Sequence, residues 1–191
     1  LFILSDSPPE KDIQWSDTGM SSAFKFIQKF WAISEQIINL TKIEINEKNE
    51  ELEIFTNRAI QRINSALEKF RYNVIIAVFH EIYSFFKKMS DKNKNYENLE
   101  INFKKILTVM SPVIPHLTHE CFNRLNHKGE ISWPKVKKEY LELNEKLIVI
   151  QINGKKRNTI TIRDELNEDK LMSKIKEMKL VEKYITNKEI L

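Results

Sequence analysis

The sequence predicts a mainly α-helical protein, an antiparallel helical bundle followed by a small, incomplete α/β module with a β-hairpin. Three observations predict it. Glycine (3) and proline (5) are scarce among 191 residues, which favours long helices over many short strands. Apolar residues recur at helical spacing over most of residues 19–125. After Gly129 the pattern changes to β-branched alternation around Asn153-Gly154, a strong hairpin signal.

A first helix is expected from Gly19 to about Ile45. Met20, Phe24, Ile27, Trp31 and Ile38 share one face, and Asp17 and Thr18 stand ready as caps. A second runs from about Asn49 to Arg71, with Leu52, Phe55, Ala59, Ile63, Ala66 and Phe70 as its buried stripe. The third, about Asn73 to Met89, is apolar nearly all round and is expected at the centre. Residues 90–98 are rich in Lys and Asn and read as an exposed connection. The fourth helix turns Leu99, Phe103, Ile106, Leu107 and Met110 inward. Pro112 and Pro115 then break the period, because proline lacks an amide hydrogen and clashes with the preceding turn. A fifth helix is expected from near Pro115 to near Gly129. Beyond it, strands Leu147–Ile152 and Thr159–Ile162 precede a last helix capped by Asn167 or Asp169, carrying Leu171, Ile175, Met178 and Tyr184. Lys188–Leu191 could open a further strand.

Composition narrows the function. Hydrophobic residues are 41% and charged residues 30%, as in a globular protein. The lone Cys121 excludes an internal disulfide and fits a reducing cytoplasm, where the protein is expected. The longest apolar run, Val74–Phe79, is far short of the ~20 residues that span a bilayer, so no membrane role is expected. There is no initiator Met, and the chain is expected to be part of a longer one. Residues 1–130 carry 17 Lys/Arg and 17 Asp/Glu, whereas residues 131–191 carry 14 and 10, so the whole +4 excess lies in the last third. A localised basic excess suits a polyanion; it also suits a lysine-rich solvated surface.

Catalytic motifs do not emerge. Gly19, Gly129 and Gly154 stand alone, which excludes a phosphate loop or dinucleotide fingerprint. His116, His119 and Cys121 lie close in sequence, but zinc needs three or four convergent ligands and no second Cys/His cluster exists. A structural role is therefore expected, with no metal. Trp15 and Trp31 read as core aromatics rather than base-stacking platforms. At the hairpin, Lys155, Lys156 and Arg157 would project past the strands as phosphate contacts, or blunt an edge against aggregation.

Three blocks of sequence resemble bacterial-type leucyl-tRNA synthetases. They are Ser7-Pro8-Pro9 through Trp31, Ser111-Pro112-Val113-Ile114-Pro115-His116 through Leu125 with Trp133-Pro134, and Val149-Ile150-Gln151-Ile152-Asn153-Gly154-Lys155-Lys156-Arg157. Arg71-Tyr72-Asn73 is similar to the family's Arg-Phe-Asn step. The resemblance implies a class I anticodon-binding helical domain over residues 10–130. It also implies a catalytic-core tail at 1–9, a linker at 131–146 and a partial C-terminal tRNA-binding domain at 147–191. It implies a leucine-accepting tRNA as partner, the catalytic core of the same parent chain as neighbour, and a monomer. ATP and magnesium would bind in the parent's core, with no cofactor in this chain. The tRNA contacts expected from it are Lys25, Lys29, Arg58 and Arg62 in the bundle and Lys155, Lys156 and Arg157 at the hairpin. Lys25 and Lys29 stand where the family has arginines, keeping the charge and losing the bidentate fork. Lys88-Met89-Ser90-Asp91-Lys92 resembles the family's ATP-holding loop, but lies about eighty residues after Ser-Pro-Pro instead of before it, and reads as coincidence. Two other readings stay open: a helical protein-interaction scaffold, and the equivalent appendage of a valyl or isoleucyl enzyme.

Overall fold

Long amphipathic segments joined by short polar links have one economical solution, in which each helix turns its apolar stripe onto the others. A computed structural model describes residues 1–8, 10–141, 146–152 and 155–162. Its elements in order are α1 (Phe2–Asp6), α2 (Asp17–Leu40), β1 (Ile45–Asn46), α3 (Glu50–Glu68), α4 (Tyr72–Asp91), β2 (Asn95–Tyr96), α5 (Leu99–Met110) and α6 (Pro115–Arg124). A 3-10 turn (Lys138–Tyr140) and the strands β3 (Lys146–Ile152) and β4 (Lys155–Ile162) follow. The chain divides into two compact units, Leu1–Leu141 and Glu142–Leu191.

In the first unit α4 is central and packs on α1, α2 and α3, while α3 also packs on α5, and α6 on α2 and α5. Phe30, Phe79, Phe86 and Phe103 are fully buried, and Phe86 meets Phe103 edge-on at 5.3 Å. Phe55 stacks flat on Phe85 at 3.8 Å, joining α3 to α4.

Helix ends follow local chemistry. Ser16, rather than Asp17 or Thr18, caps α2, its Oγ accepting from the Gly19 amide at 3.1 Å. A Cβ on Gly19 would overlap the Phe2 ring, so glycine is what lets α1 seat there. Asn49 caps α3 through Leu52 N at 3.1 Å. Pro115 opens α6, where its missing amide costs nothing. Helix α6 ends at Arg124, short of Gly129, because Asn126 turns left-handed (φ 51) and His127 N bonds back to Phe122 O at 3.0 Å.

Several expected core positions are not buried. The most buried face of α2 is Phe26, Phe30, Ile33 and Ile37; of the expected stripe Ile38 is buried and Ile27 and Trp31 pack against the core, whereas Phe24 (62% exposed) and Met20 face outward. The two stripes lie about 120° apart on the helix and have the same period, so periodicity alone does not choose between them. Trp15 is 67% exposed, held edge-on to Phe2 at 5.8 Å, with its indole N–H on Asp17 at 2.9 Å. Trp31 does pack against the core, under the Arg124 guanidinium at 4.7 Å. Helix α3 stops at Glu68, and Phe70 is left-handed (φ 52) and 61% exposed. Arg71 N closes that turn on Ala66 O at 2.8 Å, which holds a bulky residue in a conformation costing roughly 1–2 kcal/mol.

The polar connection after α4 is also less exposed than its composition suggests. Asn95 and Asn98 are buried. Strands β1 and β2 form a two-residue parallel bridge, Ile45 opposite Asn95 and Asn46 opposite Tyr96. Asn95 Nδ2 donates to Ile43 O at 2.9 Å, and Asn98 exchanges bonds with the Asn49 backbone at 2.8 and 3.0 Å. Amides satisfy buried backbone here where no helix can. Residues 131–141, expected within a linker, lie in the first unit as a strap across α3. Trp133 Nε1 donates to Asn64 at 3.0 Å and Lys137 N to Asn57 at 2.8 Å.

In the second unit β3 and β4 pair antiparallel from Lys146 opposite Ile162 to Ile152 opposite Lys155, with an irregularity at Ile150/Gln151. The expected turn Asn153-Gly154, the last helix with Asn167 and Tyr184, and the strand at 188–191 lie outside the described residues.

Candidate nucleic-acid interface

The expected cations come from three places. Lys25 and Lys29 stand one turn apart on α2, both exposed. Arg58 and Arg62 stand one turn apart on α3. Lys155, Lys156 and Arg157 lie within β4; in the ladder Asn158 opposes Ile150 and Lys156 opposes Gln151, so Arg157 is the extra residue of a bulge. Within the first unit α2 and α3 both pack on α4, so the lysine and arginine pairs belong to different helices of the bundle.

The arginines are not free cations. Arg62 makes a fork with Glu81 of α4, one arm Nη2 to Oε1 at 2.9 Å and the other Nη1 to Oε2. The Arg62 hydrogen bond holds the Glu81 carboxyl below its ordinary value, and Glu81 in turn raises Arg62. Both side chains are about half exposed, so the pair contributes under ~1 kcal/mol after solvent screening. Arg58 is half-buried and has partners within the fold.

Lys88, Lys92 and Arg124 also meet carboxylates. Lys88 and Lys92 reach Glu51 at 3.1 and 3.4 Å, which makes the segment resembling an ATP loop the end of a helix tied to α3. Arg124 bridges Glu35 at 2.8 Å and Glu120 at 3.0 Å. His116 and His119 are exposed and line a cleft of about 400 Å³ with Ser111, Pro115, Phe122 and Ile131. Among the described residues no three His, Cys, Asp or Glu side chains gather to hold a metal. No helix among them is long and apolar enough to cross a membrane.

One cluster escaped the sequence reading. Glu53 on α3 is only 4% exposed, and its Oε1 accepts from Asn102 Nδ2 at 3.0 Å and Asn98 Nδ2 at 3.2 Å. Lys105 of α5 stands 3.9 Å from Oε2. Burial alone would raise the Glu53 pKa; the Asn102 and Asn98 donors, with Lys105 and Lys137, outweigh it and hold the carboxyl below its ordinary value. In front, Lys48 Nζ donates to Tyr140 Oη at 3.4 Å, and Lys137 Nζ lies 5.7 Å from the Tyr140 ring centre. No periodicity links residues 48, 53, 105 and 137, and only the folded chain brings them together.

Comparison with known proteins agrees with this architecture. The family described as the anticodon-binding domain of tRNA ligase matches residues 49–172. The leucine–tRNA ligase of Orientia tsutsugamushi (strain Boryong) is 34% identical over 197 residues, covering 100% of this chain and 23% of that protein. That of Petrotoga mobilis is 30% identical over 205 residues, covering 99% and 25%. The chain therefore spans about a quarter of the length of the curated relatives it matches. A solved LeuRS of Agrobacterium radiobacter K84 (agnB2), crystallised as a ternary complex with tRNA and LeuAMS, superposes with a TM-score of 0.62. Its sequence identity is 18%, over 100% of this chain and 26% of that one, which shows a shared fold. A bundle of this order, matched by the family over 49–172, places the chain among the anticodon-binding domains of tRNA ligases, and it belongs to that family.

Proposed function

We infer that this chain is the tRNA-holding portion of a leucine–tRNA ligase. The observation that carries the reading is the similarity to leucine–tRNA ligases along essentially the whole chain, at 30–34% identity. In this reading the work is positional. Lys25, Lys29, Arg58 and Arg62 in the bundle, and Lys155, Lys156 and Arg157 on β4, meet backbone phosphates. The 3′ end can then enter an active site in a part of the ligase outside this chain, where ATP, leucine and magnesium bind. Phosphate contacts fix register and orientation and carry little sequence information. Arg62 can take part without leaving Glu81, since a guanidinium has five N–H groups and the fork uses two. The protein works in the cytoplasm, one copy per tRNA.

The test titrates leucine tRNA and serine tRNA, both long-armed, at two salt concentrations. Tighter binding of leucine tRNA, weakening by about 0.7–0.9 log units per log unit of salt for each neutralised phosphate, is the expected result. Equal affinity for both leaves only general RNA holding. No binding at low salt overturns the reading.

A further inference from the structure

Lysines from three distant segments converge beside the strap. Lys48 leads into α3, Lys105 lies on α5, and Lys137 sits just before the 3-10 turn. Burial lowers the Lys105 pKa; Glu53 opposes this, and the nearby charges of Lys137 and Lys48 lower it further. Glu53 is the buried carboxylate behind them, and its Oε1 is already occupied by two amides. Glu97 acts on Lys48 from further off. Gathering like charges costs free energy wherever solvent does not fully screen them. Here Glu53 and Glu97 act against three ammonium groups, and among the exposed neighbours Lys135 and Lys138 of the strap add to the potential while Glu139 and Glu47 subtract from it. Along α3 and α4, by contrast, Arg62, Lys88 and Lys92 each meet a carboxylate of the fold.

The chemistry presented outward is specific. Lys48 and Lys137 are exposed, and an ammonium carries three donors. The Tyr140 hydroxyl accepts from Lys48, which leaves its own hydrogen for an acceptor in solvent. Two ammonium groups and a hydroxyl around one aromatic ring suit a tetrahedral, multiply accepting anion. Lys105, half-buried behind them, strengthens the field without reaching solvent fully.

We propose that Lys48, Lys137 and the Tyr140 hydroxyl, backed by Lys105, form a seat for a phosphate of the RNA backbone, separate from the cations of α2, α3 and β4. The proposal rests on the tRNA-holding reading above.

The experiment uses the whole 191-residue chain. The double variant Lys48→Gln/Lys137→Gln is titrated with leucine tRNA across a salt series. Loss of the one phosphate neutralised at the seat should lower the salt slope by about 0.7–0.9 and weaken low-salt binding by about tenfold. Tyr140→Phe, which keeps the ring and removes the hydroxyl, should weaken binding by roughly threefold. Thermal unfolding checks that the strap stays seated. Should the double variant unfold, acetylation footprinting of the wild type decides: tRNA should shield Lys48 and Lys137 from labelling. Unchanged slope and affinity in a folded variant, or equal labelling with and without tRNA, overturns the seat while leaving tRNA holding intact. A wild-type chain that binds no tRNA at low salt overturns the tRNA-holding reading, and the seat with it.

Discussion

Along α3 and α4, several positive charges meet carboxylates of the fold: Glu81 forks onto Arg62, and Glu51 is shared by Lys88 and Lys92. At the strap the arrangement differs. Glu53 is satisfied mainly by the amides of Asn98 and Asn102, and the neighbouring lysines gather with few carboxylates to match them. On the first face Arg62, Lys88 and Lys92 already share carboxylates of the fold. On the second, Lys48, Lys105 and Lys137 stand close enough for their charges to act on one another. Lys48 and Lys105 come from residues 1–130, whose net charge is zero, and join Lys137 of the basic last third only in the folded chain.

The largest effect that probes this difference is on Glu53. Replacing it by alanine leaves two buried amide donors and Lys105 without their acceptor, and should cost about 3 kcal/mol in urea unfolding. A cost near zero would mean that the asparagines find water instead. The pH dependence carries the same sign. Glu53 has a folded pKa below its unfolded one, so its stabilisation is present above about pH 4.3, the unfolded value. It is lost as pH falls through the folded value. Glu53→Gln should therefore flatten the acid limb of the stability curve.

A smaller effect is expected from the neutralised face. Glu81→Gln removes a half-exposed ion pair and should change stability by less than about 1 kcal/mol. It also removes a carboxylate competing for Arg62, and so should raise tRNA affinity by roughly threefold, read by anisotropy. Unchanged affinity would show that Arg62 serves only to join α3 to α4.

A last test, on reactivity rather than stability or affinity, concerns a group with no counter-charge. Burial pushes the Cys121 thiol up to about 11, a Ser34 hydrogen bond opposing it. At pH 8 the native thiol should react with iodoacetamide more than about a hundredfold slower than the unfolded chain, followed by mass spectrometry. Rapid native labelling would reveal opening of the α2–α6 contact. The three groups together rank how the fold treats ionisable atoms: amide-satisfied, ion-paired and excluded.

The sequence by itself determined the mainly helical class. Helical periodicity over residues 19–125 placed α2 to α6 to within a few residues, with the prolines marking the break between α5 and α6. The Asn-Gly dipeptide between two β-branched runs marked the β3–β4 pairing, and the hydrophobic stripes of α3 and α5 were legible because each is flanked by polar residues. Only the tertiary structure decided that Phe26, Phe30, Ile33 and Ile37 form the deepest face of α2, and it left Phe24 and Met20 outside. It also left Phe70 in a left-handed turn, buried Asn95 and Asn98 within a polar link, and drew residues 131–141 onto α3. The candidate cations could be named from sequence, but which of them meets a carboxylate could not. The physical reason is range: helical period and turn chemistry act over a few residues, whereas charge pairing and burial depend on neighbours such as Lys48 and Tyr140, 92 positions apart.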